Sequence, residues 1–84
     1  MSDHNLSVSE KLLLAMHNLC LVRLKTAKTG QEIARLISLT TDNVEKILKS
    51  HEANGYIKSV QDASGERKFY LTNIGILKVC STFT

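Results

Sequence analysis

From Thr40 to His51 the chain reads TTDNVEKILKSH, and two kinds of side chain alternate at fixed spacing. Val44, Ile47, Leu48 and His51 recur every three or four residues, which on a helix gathers them into one inward stripe. Thr41, Asp42, Asn43, Glu45, Lys46, Lys49 and Ser50 are left facing outward. The Asn43 amide has the donor and acceptor that match an adenine edge, and the Lys46 and Lys49 ammonium groups suit phosphate or guanine. Thr40 and Thr41 sit where the free N–H groups of a helix N-terminus point outward, a setting that suits a phosphate oxygen. The chemistry offered is recognition of a polyanion. It is opposed by Asp42, Glu45 and, one residue beyond, Glu52, three acids against two lysines over Thr40 to Glu52. Asp42 reads as a charge favouring the helix terminus, and Glu45 as the i, i+4 partner of Lys49.

Catalytic chemistry finds no matching pattern. There is no nucleophile elbow, glycine-rich phosphate loop or HExxH segment, so neither a catalytic residue nor a cofactor is expected. His4, His17 and His51 have no ligand spacing, and Cys20 and Cys80 are too far apart for a metal site or a redox pair, so no metal is expected. Both cysteines read as buried thiols, with a cross-link between them or between subunits left open. His51 reads as a satisfied, partly buried histidine on the inward stripe.

With 84 residues the chain has room for one small domain, whose limited core favours added burial by dimerisation. Eleven Lys and Arg against eight Asp and Glu give a net charge of +3, a mild excess that favours an anionic partner. No apolar run is long enough to span a bilayer and the polar start MSDHNLSVSEK is not a signal peptide, so a cytoplasmic location and no membrane partner are expected.

Five elements must position the outward set. Residues 1–8 read as a loose tail ahead of a domain over 9–84. Ser9 is the candidate N-cap of a first helix reaching about residue 26. Leu12, Met16, Leu19 and Cys20 form its core face, with Leu13 and Ala15 beside it. Leu14 and Leu21 fall opposite, near His17. A second apolar stripe implies a second partner, so Leu14, His17 and Leu21, with Ile76, Val79 and Phe83 of the last helix, are assigned to a homodimer interface. Thr29 and Glu32 form a capping-box pattern at a short second helix, in which Ile33, Ala34, Leu36 and Ile37 are apolar. Thr40 caps the third helix and Asn54-Gly55 ends it. YIKSVQ, DASGE and RKFYLT read as strand, turn and strand. Thr72 caps a closing helix carrying Ile74, Leu77 and Cys80 at helical spacing.

Three helices, a two-stranded hairpin and a closing helix follow the order of a winged helix-turn-helix, a mostly α member of the α+β class. QEIA (Gln31–Ala34), Leu39-Thr40, Val44, Leu48 and EANGYI through Ile57 resemble the MarR/ArsR-type winged-helix regulators of bacteria, archaea and their viruses. FYLTNIG resembles the YxLTxxG stretch that follows the wing in that family, and the likeness spans residues 29–76. It implies a homodimeric transcription regulator of double-stranded DNA, with the third helix in the major groove and the wing on backbone or minor groove. Arg67 and Lys68 then become wing contacts, beside Glu66 and behind the Ser64-Gly65 tip. Lys28 and Arg35 add charge near the second helix. The alternative is a protein-interaction module of the same fold that binds no DNA, to which the acids of the third helix point.

Overall fold

Each helix begins where a hydroxyl can accept a backbone N–H, and the first three stop where the next apolar residue returns to pack on the core. The computed structural model describes residues 7–83, Phe83 by its backbone alone. Helix α1 runs Val8–Asn18, β1 Lys28–Thr29, α2 Gly30–Leu36, α3 Thr41–Ala53, β2 Ile57–Gln61, β3 Arg67–Leu71 and α4 Asn73–Phe83, with a short 3₁₀ turn at Leu24–Thr26. Thr29 and Glu32 close the expected capping box on α2. Thr40 Oγ1 caps α3 by accepting from the Asn43 N–H, and Thr72 Oγ1 accepts from the Gly75 N–H at the start of α4. The first cap is Ser7, not Ser9: its hydroxyl accepts from the Glu10 N–H while the Glu10 carboxylate accepts from the Ser7 N–H. Ser7 and Val8 thus belong to the folded body. The expected tail is otherwise residues 1–6, which lie outside the described residues, as does His4.

The larger correction is the end of α1. The helix stops at Asn18, about eight residues before the expected end. Cys20 takes a left-handed φ of 60°, the Cys20 N–H donates to His17 O, and the Leu21 N–H donates to Met16 O. This is the two-bond C-terminal closure that lets the next apolar residue fold back on the helix. Leu21 therefore lies at 2 % exposure in the core, its carbonyl accepting from the Leu71 N–H, and Cys20 is exposed. Leu21 is not on a second helical stripe, because no helix remains to carry one. The longer of these two bonds also ends α2, where Ser38 has φ 59° and the Leu39 N–H donates to Ala34 O. It ends α3 at Gly55, φ 83°.

Glycine fills only the last of these three left-handed positions, and serine there costs about 1 kcal/mol or more. Ser38 is exposed, so Ser38→Gly removes little buried surface. After allowing for the extra freedom of glycine in the unfolded chain, it is expected to stabilise the domain by about 0.5–1 kcal/mol. A rise of about 2–8 °C in the thermal midpoint checks this.

The hairpin is present, and a third strand the sequence did not suggest joins it: the antiparallel order is β1-β3-β2. Its register pairs Ile57 with Leu71, Ser59 with Phe69 and Gln61 with Arg67. Ile57, Phe69 and Leu71 face the helices and meet Leu12, Leu13, Met16, Ile33, Ala34, Val44 and Leu48 in one core.

On α4 the inward face differs from both expectations. Val79 is buried at 3 % and Ile76 packs against the core, whereas Ile74 and Leu77 are 57 % and 68 % exposed and Cys80 is exposed. Gly75 sets this orientation, because it lies against the Tyr56 carbonyl oxygen and Leu71, where a side chain has no room. Val79 is thus a core residue of this chain and not part of an interface. The side chain of Phe83 lies outside the described residues.

Candidate nucleic-acid interface

Helix α3 is held by its buried line, Val44, Leu48 and His51, with Ile47 half-buried. At about 100° per residue, Asp42, Lys46, Lys49 and Ala53 lie opposite that line, and all four are exposed. Thr41, Glu45 and Glu52 form the flank toward the wing, while Asn43 and Ser50 form the flank toward α1. The acids are therefore sorted. Glu52 Oε2 accepts from the Ser59 hydroxyl at 2.6 Å. Glu45 lies over Gly30, where a Cβ would sit 3.0 Å from its Cγ. Among the described residues the ion pair is Lys68 Nζ to Asp62 Oδ2 at 3.6 Å, so Glu45 does not close on Lys49 as expected. Of the three acids only Asp42 shares the outward ridge with Lys46 and Lys49.

The wing has two unlike faces. Alternation along the strands puts Arg67 on the helix-facing side with Phe69 and Leu71, and Lys68 on the other side with Tyr70. Arg67 Nη1 donates to Ser59 Oγ at 3.2 Å and is otherwise exposed. The turn between the strands is pinned by Asp62, whose Oδ1 accepts from the Ser64 hydroxyl and from the Ser64 and Glu66 N–H groups. The Ser64 hydroxyl is the chief cause holding the Asp62 carboxyl below its ordinary range, so it stays ionised beside Lys68.

Six of the nine sequence-derived candidates line three grooves. Thr41 and Arg67 line one groove with Gln31 and Glu45. Asn43 and Lys46 line a second with Val8, Leu39 and Ile47. Lys28 and Arg35 line a third with Glu32 and Leu36 on the outer side of α2. Glu32 is itself held below its ordinary range, chiefly by the Thr29 N–H it accepts from. Thr40 is exposed but its hydroxyl is engaged in the cap. Leu14 and His17 are half-buried on α1. Sequence reasoning did not single out Ser59, which joins α3 to the wing; only the hairpin register brings it diagonal to Arg67.

His51 is 5 % exposed and ties the end of α3 to the start of α1. Its Nε2 lies 2.9 Å from the Ser9 carbonyl oxygen, which can only accept, so Nε2 carries the proton and Ser9 Oγ at 3.0 Å accepts as well. Nδ1 is buried with no hydrogen-bond partner among the described residues, so the histidine is only half satisfied there. Burial lowers the imidazole pKa below its ordinary 6.5; the Ser9 carbonyl pulls the other way and Lys78 adds a small lowering. The folded state then binds fewer protons than the unfolded chain as the pH falls below 6.5. This contribution to stability is complete above that value and is lost as the pH drops toward the folded pKa. His51→Leu is expected to flatten the acid side of the stability–pH curve below pH 6.5, which denaturant midpoints at each pH measure.

No helix among the described residues is long and apolar enough to cross a membrane. No protein-family model matches the sequence, and no curated protein matches it significantly. Solved structures do match the fold. TubR from Bacillus megaterium is 25 % identical over 93 % of this chain and 87 % of its own, with a TM-score of 0.76. MepR, a transcription regulator of the Staphylococcus aureus multidrug efflux pump MepA, is 22 % identical over 87 % of this chain, with a TM-score of 0.72. MepR in its complex with DNA aligns at a TM-score of 0.70. The chain spans about half the length of MepR, 51 %. The four helices and the small antiparallel sheet form a winged helix-turn-helix, the fold of transcription regulators such as MepR.

Proposed function

We propose that this chain is a homodimeric transcription regulator that binds double-stranded DNA through α3 and the wing. The observation that carries the reading is the sorting of charge on α3. Lys46 and Lys49 occupy the ridge opposite the core, while Glu45 and Glu52 turn toward α2 and the wing. The segment is acidic in sum yet offers cations where a groove would meet it. Asn43 reads a base edge, Thr40 and Thr41 flank the helix N-terminus, and Arg67 contacts the backbone from the helix-facing side of the wing. Lys68, Lys28 and Arg35 add longer-range attraction, Lys68 the least because Asp62 partly neutralises it. The dimer face combines Leu14 and His17 of α1 with the exposed Ile74 and Leu77 of α4, while Ile76 stays with the core. The MepR–DNA complex supports the reading by showing that a protein of this fold engages DNA.

The test is duplex binding by the purified chain at low salt, with its oligomeric state measured alongside. A shift of random-sequence duplex at micromolar protein, weakening steeply with added salt, is the expected result. No shift at that concentration sinks this reading and favours an interaction module that binds no DNA.

A further inference from the structure

The Glu52 carboxylate sits on the recognition helix, where a negative charge weakens binding to a polyanion unless it has another task. Its nearest polar partner is on a different element: the Ser59 hydroxyl of β2 donates to Glu52 Oε2 at 2.6 Å. The same Ser59 oxygen accepts from Arg67 Nη1 of β3 at 3.2 Å. One hydroxyl therefore serves as donor to α3 and acceptor from the wing, which uses both of its capacities. The strand register explains the fit. Ser59 lies opposite Phe69, so Arg67, two residues back along β3, is its diagonal neighbour on the same helix-facing side. Ser59 and Glu52 are half-buried while Arg67 is exposed, so the relay is anchored at its inner end and free at its outer one.

An arginine on a two-stranded wing has many rotamers, and fixing it before it meets a phosphate removes an entropic cost from binding. We infer that Ser59 and Glu52 are positioning residues that hold Arg67 in its DNA-contacting orientation and lock the wing to α3. The inference rests on the DNA-binding reading above. Its sign is what sets it apart. Simple charge repulsion makes removal of Glu52 strengthen binding to DNA, whereas positioning makes the same removal weaken it.

The test is a double-mutant cycle on the full chain, read by fluorescence anisotropy with a labelled random-sequence duplex at low salt. Thermal unfolding of each variant accompanies it. Ser59→Ala and Glu52→Ala are each expected to weaken binding about three- to ten-fold with little change in midpoint, and Ser59→Thr, which keeps the hydroxyl, to stay near wild type. Arg67→Ala weakens binding and lowers the salt slope by about 1. In the Arg67→Ala background, Ser59→Ala is expected to change affinity less than about two-fold, because the residue it positions is gone. Multiplicative losses in the cycle, or tighter binding by Glu52→Ala, overturn the positioning role while leaving DNA binding intact. Absence of any wild-type binding overturns the DNA-binding reading and this role with it.

Discussion

Gly75→Ala is expected to abolish the cooperative fold or to destabilise it by about 3 kcal/mol or more, the cost of overpacking against atoms that cannot yield. The added methyl would land on the Tyr56 carbonyl oxygen, with Leu71 Cδ1 at 2.8 Å and Cγ at 3.0 Å from it. The carbonyl is fixed on both sides: Tyr56 O accepts from the Thr72 N–H at 2.9 Å and from Thr72 Oγ1 at 3.0 Å. The backbone there cannot move aside without breaking the cap of α4. A domain of this size has only about 5–10 kcal/mol of total stability, so the loss is a large fraction of it. Urea unfolding followed by circular dichroism measures the effect. A midpoint within experimental error of wild type would mean that α4 does not pack on the β2 entry as described.

The second large effect concerns the ridge of α3. Removing Lys46 and Lys49 together is expected to lower duplex affinity about 10- to 100-fold at low salt and to reduce the slope of log K against log salt by about 2. Both side chains are exposed and make no ion pair among the described residues, so their loss costs the fold little. Lys25, equally exposed but on the 3₁₀ turn, supplies the control: Lys25→Ala should leave the slope nearly unchanged. A slope reduction of about 1 for Lys25→Ala, half that of the double variant, would show that binding follows net charge and not the geometry of this helix.

The sequence by itself determined the helix starts at Thr29, Thr40 and Thr72, the inward line of α3, the stop at Gly55 and the strand–turn–strand of the wing. These are local matters: a hydroxyl reaching an N–H three residues on, a repeat that matches one helical face, a glycine able to take positive φ. From them the order of a winged helix-turn-helix could be read. Tertiary structure alone decided the end of α1, where Cys20 adopts a left-handed conformation that its residue type disfavours. The conformation persists because it returns Leu21 to the core and lets Leu21 O pair with Leu71. It also decided which face of α4 turns inward. Ile74, Leu77 and Cys80 are as regularly spaced as Ile76 and Val79, and the long-range contact of Gly75 with the Tyr56 carbonyl matches the second set facing inward. The same holds at the interface. Periodicity could say that Glu45 and Glu52 leave the core, but not that one would settle over Gly30 and the other on Ser59, because those partners are brought together by long-range packing and strand register.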